Sequence, residues 1–256
     1  MNPQLREKIE EIIGEIHSVK VLDEQGCTSE VCQIITKHGT YLLKSSFEKK
    51  YREWLQAEAH VLAKLHNKNL VPVPKYYGFI EENDSSHLIM SFENGITLTS
   101  ALESSKSLTE KKSLINSFGH FLHQLHETKI FESFDRNNNW LDEQLMKAEN
   151  YARSGQTEGS LQLLETLKSN KPLPVKQTII HGDCTTDNVL VVDGEVRCFI
   201  DVCGMTVGDP RYDESLAIRD FLDQDEYTKA FYEGYKRYKI SHEEFRYFDE
   251  GLYEFF

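Results

Sequence analysis

Leu5, Ile9, Ile12, Ile13 and Ile16 recur at helical spacing in an otherwise polar stretch, so the chain is predicted to open with an amphipathic helix. The period then shortens. Segments 18–22, 31–36 and 41–44 are short and apolar, rich in β-branched residues, and Lys37-His38-Gly39-Thr40 reads as a turn, so strands are predicted. Trp54, Leu55, Ala59, Leu62 and Leu65 restore helical spacing over 51–65. Val71-Pro72-Val73-Pro74 cannot be helix interior, because proline lacks an amide donor and restricts the residue before it. Two more strand-like runs follow at 76–80 and 87–92, separated by a polar turn at 81–86.

From there the pattern is mostly helical. Ser107-Leu108-Thr109-Glu110 reads as a capping box, and Leu114, Ile115, Phe118, Phe121, Leu122 and Leu125 continue it as a core-facing stripe. Segments 140–152 and 159–167 predict two further helices. His120, His123 and His126 share one of these patterns without a partner at ligand spacing, and read as surface or packing histidines. After Lys171-Pro172-Leu173-Pro174, the run Thr178-Ile179-Ile180 predicts a short buried strand. Val189-Leu190-Val191-Val192 and 195–200 flank Asp193-Gly194, which tolerates the positive φ of a two-residue hairpin turn.

Between strand and hairpin lies the polar loop 181–187. The hairpin is expected to carry Asp201 back toward Asp183 and Asn188. An amide and a carboxylate, Asn188 and Asp201, suit a hard cation such as Mg²⁺. Asp183 is then free to orient an attacking hydroxyl and accept its proton. Each residue alone is also an ordinary turn former; the ordered set favours the chemistry.

Composition narrows the class. With 39% hydrophobic and 28% charged residues over 256 positions, an ordinary soluble protein is expected. No apolar run approaches the ~18 residues of a membrane span, and the N-terminal segment lacks a signal peptide's apolar stretch, so a cytoplasmic location is expected. The cysteines, Cys27, Cys32, Cys184, Cys198 and Cys203, are odd in number and include no Cys-x-x-Cys pair, which indicates neither a disulfide framework nor zinc. Those near the loop read as small buried hydrophobes rather than catalytic thiols. Residues 1–90 carry 13 acidic and 11 basic side chains, and residues 91–256 carry 29 and 18. Such acidity argues against nucleic acid or anionic membranes as partners. It suits a cationic small molecule, and equally a role in solubility.

His181-Gly182-Asp183-x-x-x-x-Asn188, followed by a hairpin into Phe199-Ile200-Asp201, resembles the catalytic and metal-binding loops of the aminoglycoside phosphotransferase family and its choline-kinase-like relatives. The resemblance implies an α+β, two-lobed, protein-kinase-like fold. A sheet-rich nucleotide-binding lobe would span 1–93 and a mainly helical catalytic and substrate-binding lobe 94–256. It implies transfer of the γ-phosphoryl group of ATP or GTP, with Mg²⁺ held by Asn188 and Asp201 and with Asp183 as catalytic base. Lys44 matches the phosphate-binding lysine and Glu58 the glutamate that positions it. Glu53 competes, but Leu55, Ala59 and Leu62 turn Glu58 toward the packed face. Segment 25–30 matches the phosphate-covering loop, although its single glycine also suits a plain turn. The backbone from Ser91 to Glu93 would meet adenine.

Gly208-Asp209-Pro210-Arg211-Tyr212-Asp213 is similar to another family segment, except that Glu214 and Ser215 separate Asp213 from Leu216. Asp213 would cap the following helix and brace the catalytic loop. Asp220, Asp223, Glu254 and the last residue, Phe256, correspond to an acidic end that holds amines in antibiotic kinases. Members acting at the 3′ position often carry arginine where this chain has Gly204, which counts against that subgroup. The leading expectation is an aminoglycoside O-phosphotransferase conferring antibiotic resistance. Alternatives are a metabolic kinase of a sugar or amino alcohol, and a non-catalytic nucleotide-binding protein; intact Lys44, Asp183, Asn188 and Asp201 argue against the last.

Overall fold

The computed structural model describes residues 1–22, 25–26, 28–66, 68, 70–130, 134 and 139–256. The chain forms two compact units, Met1–Gly95 with Cys198–Gly204, and Ile96–Arg197 with Met205–Phe256.

The first unit opens with α1 (Pro3–Ile13), capped by Asn2, whose side chain accepts the Leu5 amide at 2.7 Å. Gly14 ends the helix at a φ of 86°. Ile16, expected on this helix, instead starts β1 (Ile16–Val21), because the extended, positive-φ backbone of Gly14 breaks the helical phase first. With β2 (Glu30–Thr36), β3 (Gly39–Ser46), β4 (Tyr76–Glu81) and β5 (Ser86–Ser91) it forms an antiparallel five-stranded sheet in the order β1-β2-β3-β5-β4. Leu5, Ile9 and Ile13 of α1 pack on Ile34, Leu43, Ile80 and Ile89 of the sheet. α2 (Lys49–Leu65) follows β3 and buries Leu55, Ala59, Leu62 and Leu65. Lys44 therefore lies on the central strand, paired with Val31 on one side and Leu88 on the other.

The second unit contains β6 (Ile96–Thr97), α3 (Leu98–Ser104), α4 (Leu108–Glu127), α5 (Trp140–Ser154), α6 (Leu161–Ser169), β7 (Thr178–Ile180), β8 (Val189–Val192), β9 (Glu195–Phe199, whose last two residues are counted with the first unit), β10 (Thr206–Gly208), α7 (Pro210–Ile218), α8 (Asp225–Gly234) and α9 (His242–Phe248). Ser107 caps α4 by accepting the Glu110 amide at 3.1 Å, but the Glu110 carboxylate returns to the Lys106 amide at 3.3 Å, so the expected box closes one residue early. β7 pairs with β10, and β8 lies between β6 and β9. Asp193 and Gly194 have φ of 52° and 80°, the pair of positive values that a type I′ hairpin turn requires. α4 and α8 touch backbone to backbone. A Cβ on Gly119 would lie 2.2 Å from the Phe231 carbonyl oxygen, and one on Gly234 2.2 Å from that of Asn116. No helix among the described residues is long and apolar enough to cross a membrane.

α7 is buried along its whole length. Asp209, rather than Asp213, caps it by accepting the Arg211 amide at 3.0 Å, since Asp213 already stands inside the first turn. Glu214, one of the two positions that depart from the family pattern, is fully buried. Its Oε1 accepts hydrogen bonds from the Tyr232 hydroxyl at 2.8 Å and the Ile240 amide at 2.7 Å, while Oε2 has no partner. Burial pushes this carboxyl up to about 8. The folded chain thus keeps a proton that the unfolded chain releases near 4.5. Stability on this account is greatest below pH 4.5 and falls as pH rises toward 8, by an amount on the order of 5 kcal/mol. Glu214→Gln is expected to flatten that slope. Melting temperatures at pH 5.5 and 8.5 should show the variant gaining on the parent only at the higher pH; a parallel shift at both would contradict this.

Candidate active site

In the first unit Lys44 is 7% exposed and Glu58 3% exposed. The Lys44 ammonium donates to Glu58 Oε2 at 2.9 Å and also to Asp201 Oδ1. Glu53 is exposed, so Glu58 is the glutamate that α2 turns inward. Burial opposes the lysine's charge, but Glu58 and Asp201 outweigh it and hold its pKa well above the ordinary value. Burial pushes the Glu58 carboxyl up, while Lys44 pulls it down. A lysine fixed in this way is a permanent cation with a set direction, which suits binding phosphate oxygens.

Asp201 has a φ of 56°, a left-handed conformation costing a non-glycine residue roughly 1–2 kcal/mol. Strain of this kind persists where the surroundings fix it, and here Lys44 does so. The Asp201 side chain is 44% exposed, and its Oδ2 makes no hydrogen bond with the described residues.

The segment matched to the phosphate-covering loop is closed at its base by Gln25. Its amide nitrogen donates to the carbonyls of Leu22 at 2.7 Å and Val31 at 3.0 Å, and its oxygen accepts the Val31 amide at 2.8 Å. Ser29 and Ser46 share a 2.5 Å hydroxyl contact that ties the loop to β3. Cys27, within the same segment, lies outside the described residues. Near the end of β5, Ser91 accepts the Lys75 amide at 2.7 Å and donates to Glu93.

In the second unit the loop after β7 carries Asp183 and Asn188. The Asn188 amide nitrogen donates to both the main-chain oxygen and Oδ2 of Asp183, each at 2.8 Å. Tyr253 donates its hydroxyl to Asp183 Oδ1 at 3.3 Å. Gly182 takes a φ of 85°, which a side chain would resist. Fully buried Asp213 holds the loop from beneath, its Oδ2 accepting the His181 amide at 2.6 Å and its Oδ1 the Gly182 amide at 2.8 Å. Asp213 thus braces the loop as expected, although it does not cap α7. His126, buried on α4, meets Asp213 through Nε2 at 3.2 Å and the Tyr235 hydroxyl through Nδ1 at 2.9 Å. It is a packing histidine with a bracing contact. No cluster of three or more His, Cys, Asp or Glu able to hold a metal occurs among the described residues.

Asn188 and Asp201, each within its own unit, carry oxygen donors of the kind a hard cation prefers. Both amide hydrogens of Asn188 serve Asp183, so its carbonyl oxygen is the atom left to coordinate, and Asp201 offers Oδ2. The thiols do not compete, since burial pushes both Cys184 and Cys198 up.

Of the acidic positions expected to meet substrate, Asp220 accepts the Thr186 hydroxyl at 2.9 Å and so abuts the Asp183–Asn188 loop. Asp223 and Glu254 are exposed. The Glu254 main chain is engaged, its carbonyl by the Gly159 amide at 3.1 Å and the Thr157 hydroxyl at 2.7 Å and its amide by the Gly251 carbonyl at 3.3 Å. The Phe256 ring meets Tyr151 edge-on at 5.9 Å. Tyr253 was not singled out from sequence, because an aromatic residue in a short C-terminal turn carries no periodic or motif signal.

A sheet whose central strand holds a lysine against a helix glutamate, with a helical unit bearing an aspartate–asparagine loop, defines a protein-kinase-like fold. Solved structures share it. Aminoglycoside-3′-phosphotransferase of type VIII superposes with a TM-score of 0.74 at 20% identity, covering 94% of this chain and 93% of that one. The streptomycin–ATP–APH(2″)-IIa ternary complex gives 0.64 at 20% identity, covering 96% and 87%. An aminoglycoside 3′-phosphotransferase of Enterococcus faecalis is 25% identical over 177 residues, covering 64% of this chain and 66% of the relative, just under two thirds of its length. The profile of the phosphotransferase enzyme family matches residues 21–248, and the chain belongs to that family.

Proposed function

We propose that this protein transfers the γ-phosphoryl group of ATP or GTP to a hydroxyl of an aminoglycoside, as a cytoplasmic resistance enzyme. The observation that carries the reading is the Asp183–Asn188 pair, a carboxylate bonded at 2.8 Å to an amide on a loop braced by buried Asp213. Family membership and the Lys44–Glu58 pair support it, as do relatives that act on aminoglycosides.

The acceptor hydroxyl is oriented by Asp183 and gives up its proton to that carboxylate. The freed oxygen bonds to the γ-phosphorus as the bond to the β–γ bridging oxygen breaks, its electron pair leaving with the nucleoside diphosphate. Lys44, fixed by Glu58, binds the α- and β-phosphates, and the backbone from Ser91 to Glu93 meets the base. Asn188 Oδ1 and Asp201 Oδ2 are the atoms to hold Mg²⁺, which would offset phosphate charge. Most of the rate then comes from positioning and electrostatics, because charge in a loose transition state is spread over the phosphoryl oxygens. Asp220, Asp223, Glu254 and Phe256 are the positions for the acceptor's amines.

Nucleotide consumption measured against streptomycin, spectinomycin, hygromycin B, sugars and amino alcohols tests this. Turnover with an aminoglycoside, lost on chelation and regained with Mg²⁺, is expected. Turnover confined to a sugar or amino alcohol would make the protein a metabolic kinase, and none with any acceptor would end the reading.

A further inference from the structure

Asp183 is held from two sides. Asn188 takes Oδ2, and the Tyr253 hydroxyl takes Oδ1. A carboxylate with one donor can still turn about its Cβ–Cγ bond; with a donor on each oxygen, its remaining lone pairs point in fixed directions. The placement of the second donor is itself built. Tyr253 belongs to a 3-10 turn, Leu252–Phe255, whose Leu252 and Phe255 are completely buried on either side of it. The Glu254 carbonyl is tied to Gly159 and Thr157. The Arg219 guanidinium stands 4.6 Å over the Tyr253 ring and pairs with Asp249 at 3.2 Å, and the Tyr212 ring lies 6.5 Å away.

We propose that Tyr253 is a positioning residue for phosphoryl transfer, its hydroxyl fixing the Asp183 carboxylate so that an Oδ1 lone pair faces the acceptor hydroxyl. The proposal rests on the reading of Asp183 as base. Burial, with the Asp183 charge adding to it, pushes the Tyr253 phenol up to about 12, so the group stays a donor at neutral pH. The turn Leu252–Phe255 therefore acts in the chemistry through one oxygen, the Tyr253 hydroxyl.

Tyr253→Phe keeps the ring and removes only the hydroxyl. Measured with the best acceptor of the panel, and with water as acceptor through phosphate release from ATP, kcat is expected to fall about tenfold, as loss of a hydrogen bond to a charged group allows. KM for ATP should stay unchanged, with the melting temperature lowered by about 2–4 °C, the scale of one lost hydrogen bond. In an Asp183→Ala background the same substitution should alter the residual rate less than about twofold, because the group it acts through is gone. An unchanged kcat in Tyr253→Phe, or an equal loss in both backgrounds, would overturn the proposal while leaving Asp183 as base. Parent rates in Asp183→Ala alone would instead remove the reading beneath it. If Tyr253→Phe unfolds, Tyr253→Gln and Tyr253→Leu replace it. A higher kcat for the glutamine variant, which restores a donor, supports the proposal, and equal rates refute it.

Discussion

Asp183→Ala is expected to lower kcat for phosphoryl transfer by roughly 10²–10⁴-fold, the usual contribution of a positioned general base. The fold should survive. The loop is held through the amides of His181 and Gly182 on Asp213, and neither bond involves the Asp183 side chain. The Tyr253 hydroxyl loses its acceptor and the Asn188 amide loses one of its two, keeping the main-chain oxygen of residue 183, so a modest stability loss of about 1–3 kcal/mol should accompany the kinetic one. Steady-state kinetics with circular dichroism melting separates the two effects. A variant that folds and keeps the parent kcat would show that proton acceptance lies elsewhere.

The second large effect is expected at Lys44. Lys44→Met fills similar space on β3 but leaves Glu58 buried without its cation and Asp201 without its donor. Breaking a buried pair from one side costs about 3–5 kcal/mol. Loss of the fixed ammonium should lower kcat by about 10²–10³-fold, the scale found when a preorganised donor to developing charge is removed. Urea unfolding and initial rates over a range of ATP concentrations would test both. Glu58→Gln keeps the lysine and should fall between parent and Lys44→Met in rate; a Glu58→Gln variant slower than Lys44→Met would contradict Glu58's positioning role.

These residues differ in how plainly the sequence displays them. The inward turn of Glu58 is readable from helical phase alone, since Leu55, Ala59 and Leu62 surround it, and Glu53, one and a half turns earlier, falls on the exposed face. The Asp193-Gly194 turn is readable because few residue pairs accept two positive φ values in succession. Other features arise only in three dimensions. Ile16 continues the apolar spacing of α1 yet starts a strand, because Gly14 intervenes with a conformation that spacing does not encode. The Lys44–Asp201 contact joins positions 157 residues apart, and no local pattern announces the left-handed backbone of Asp201. At α7 the chain looks like Asp-capped helix, but which aspartate caps and which reaches the loop depends on where the first turn begins. Glu214 is opaque for another reason. A glutamate in an acidic segment reads as surface, and only its burial against Tyr232 and Ile240 reveals the opposite.

Cys198–Gly204 belongs to the first compact unit although more than a hundred residues of the second, Ile96–Arg197, precede it in the chain. During vectorial synthesis, the sheet and α2 emerge long before Asp201 exists. Until then the Lys44 ammonium has Glu58 as its sole carboxylate from these two, and the Pro72 carbonyl still awaits the Phe199 amide that reaches it at 2.9 Å. A nascent chain halted near residue 95 therefore lacks a wall of its own first unit, and that unit can be completed only after the ribosome has passed residue 204.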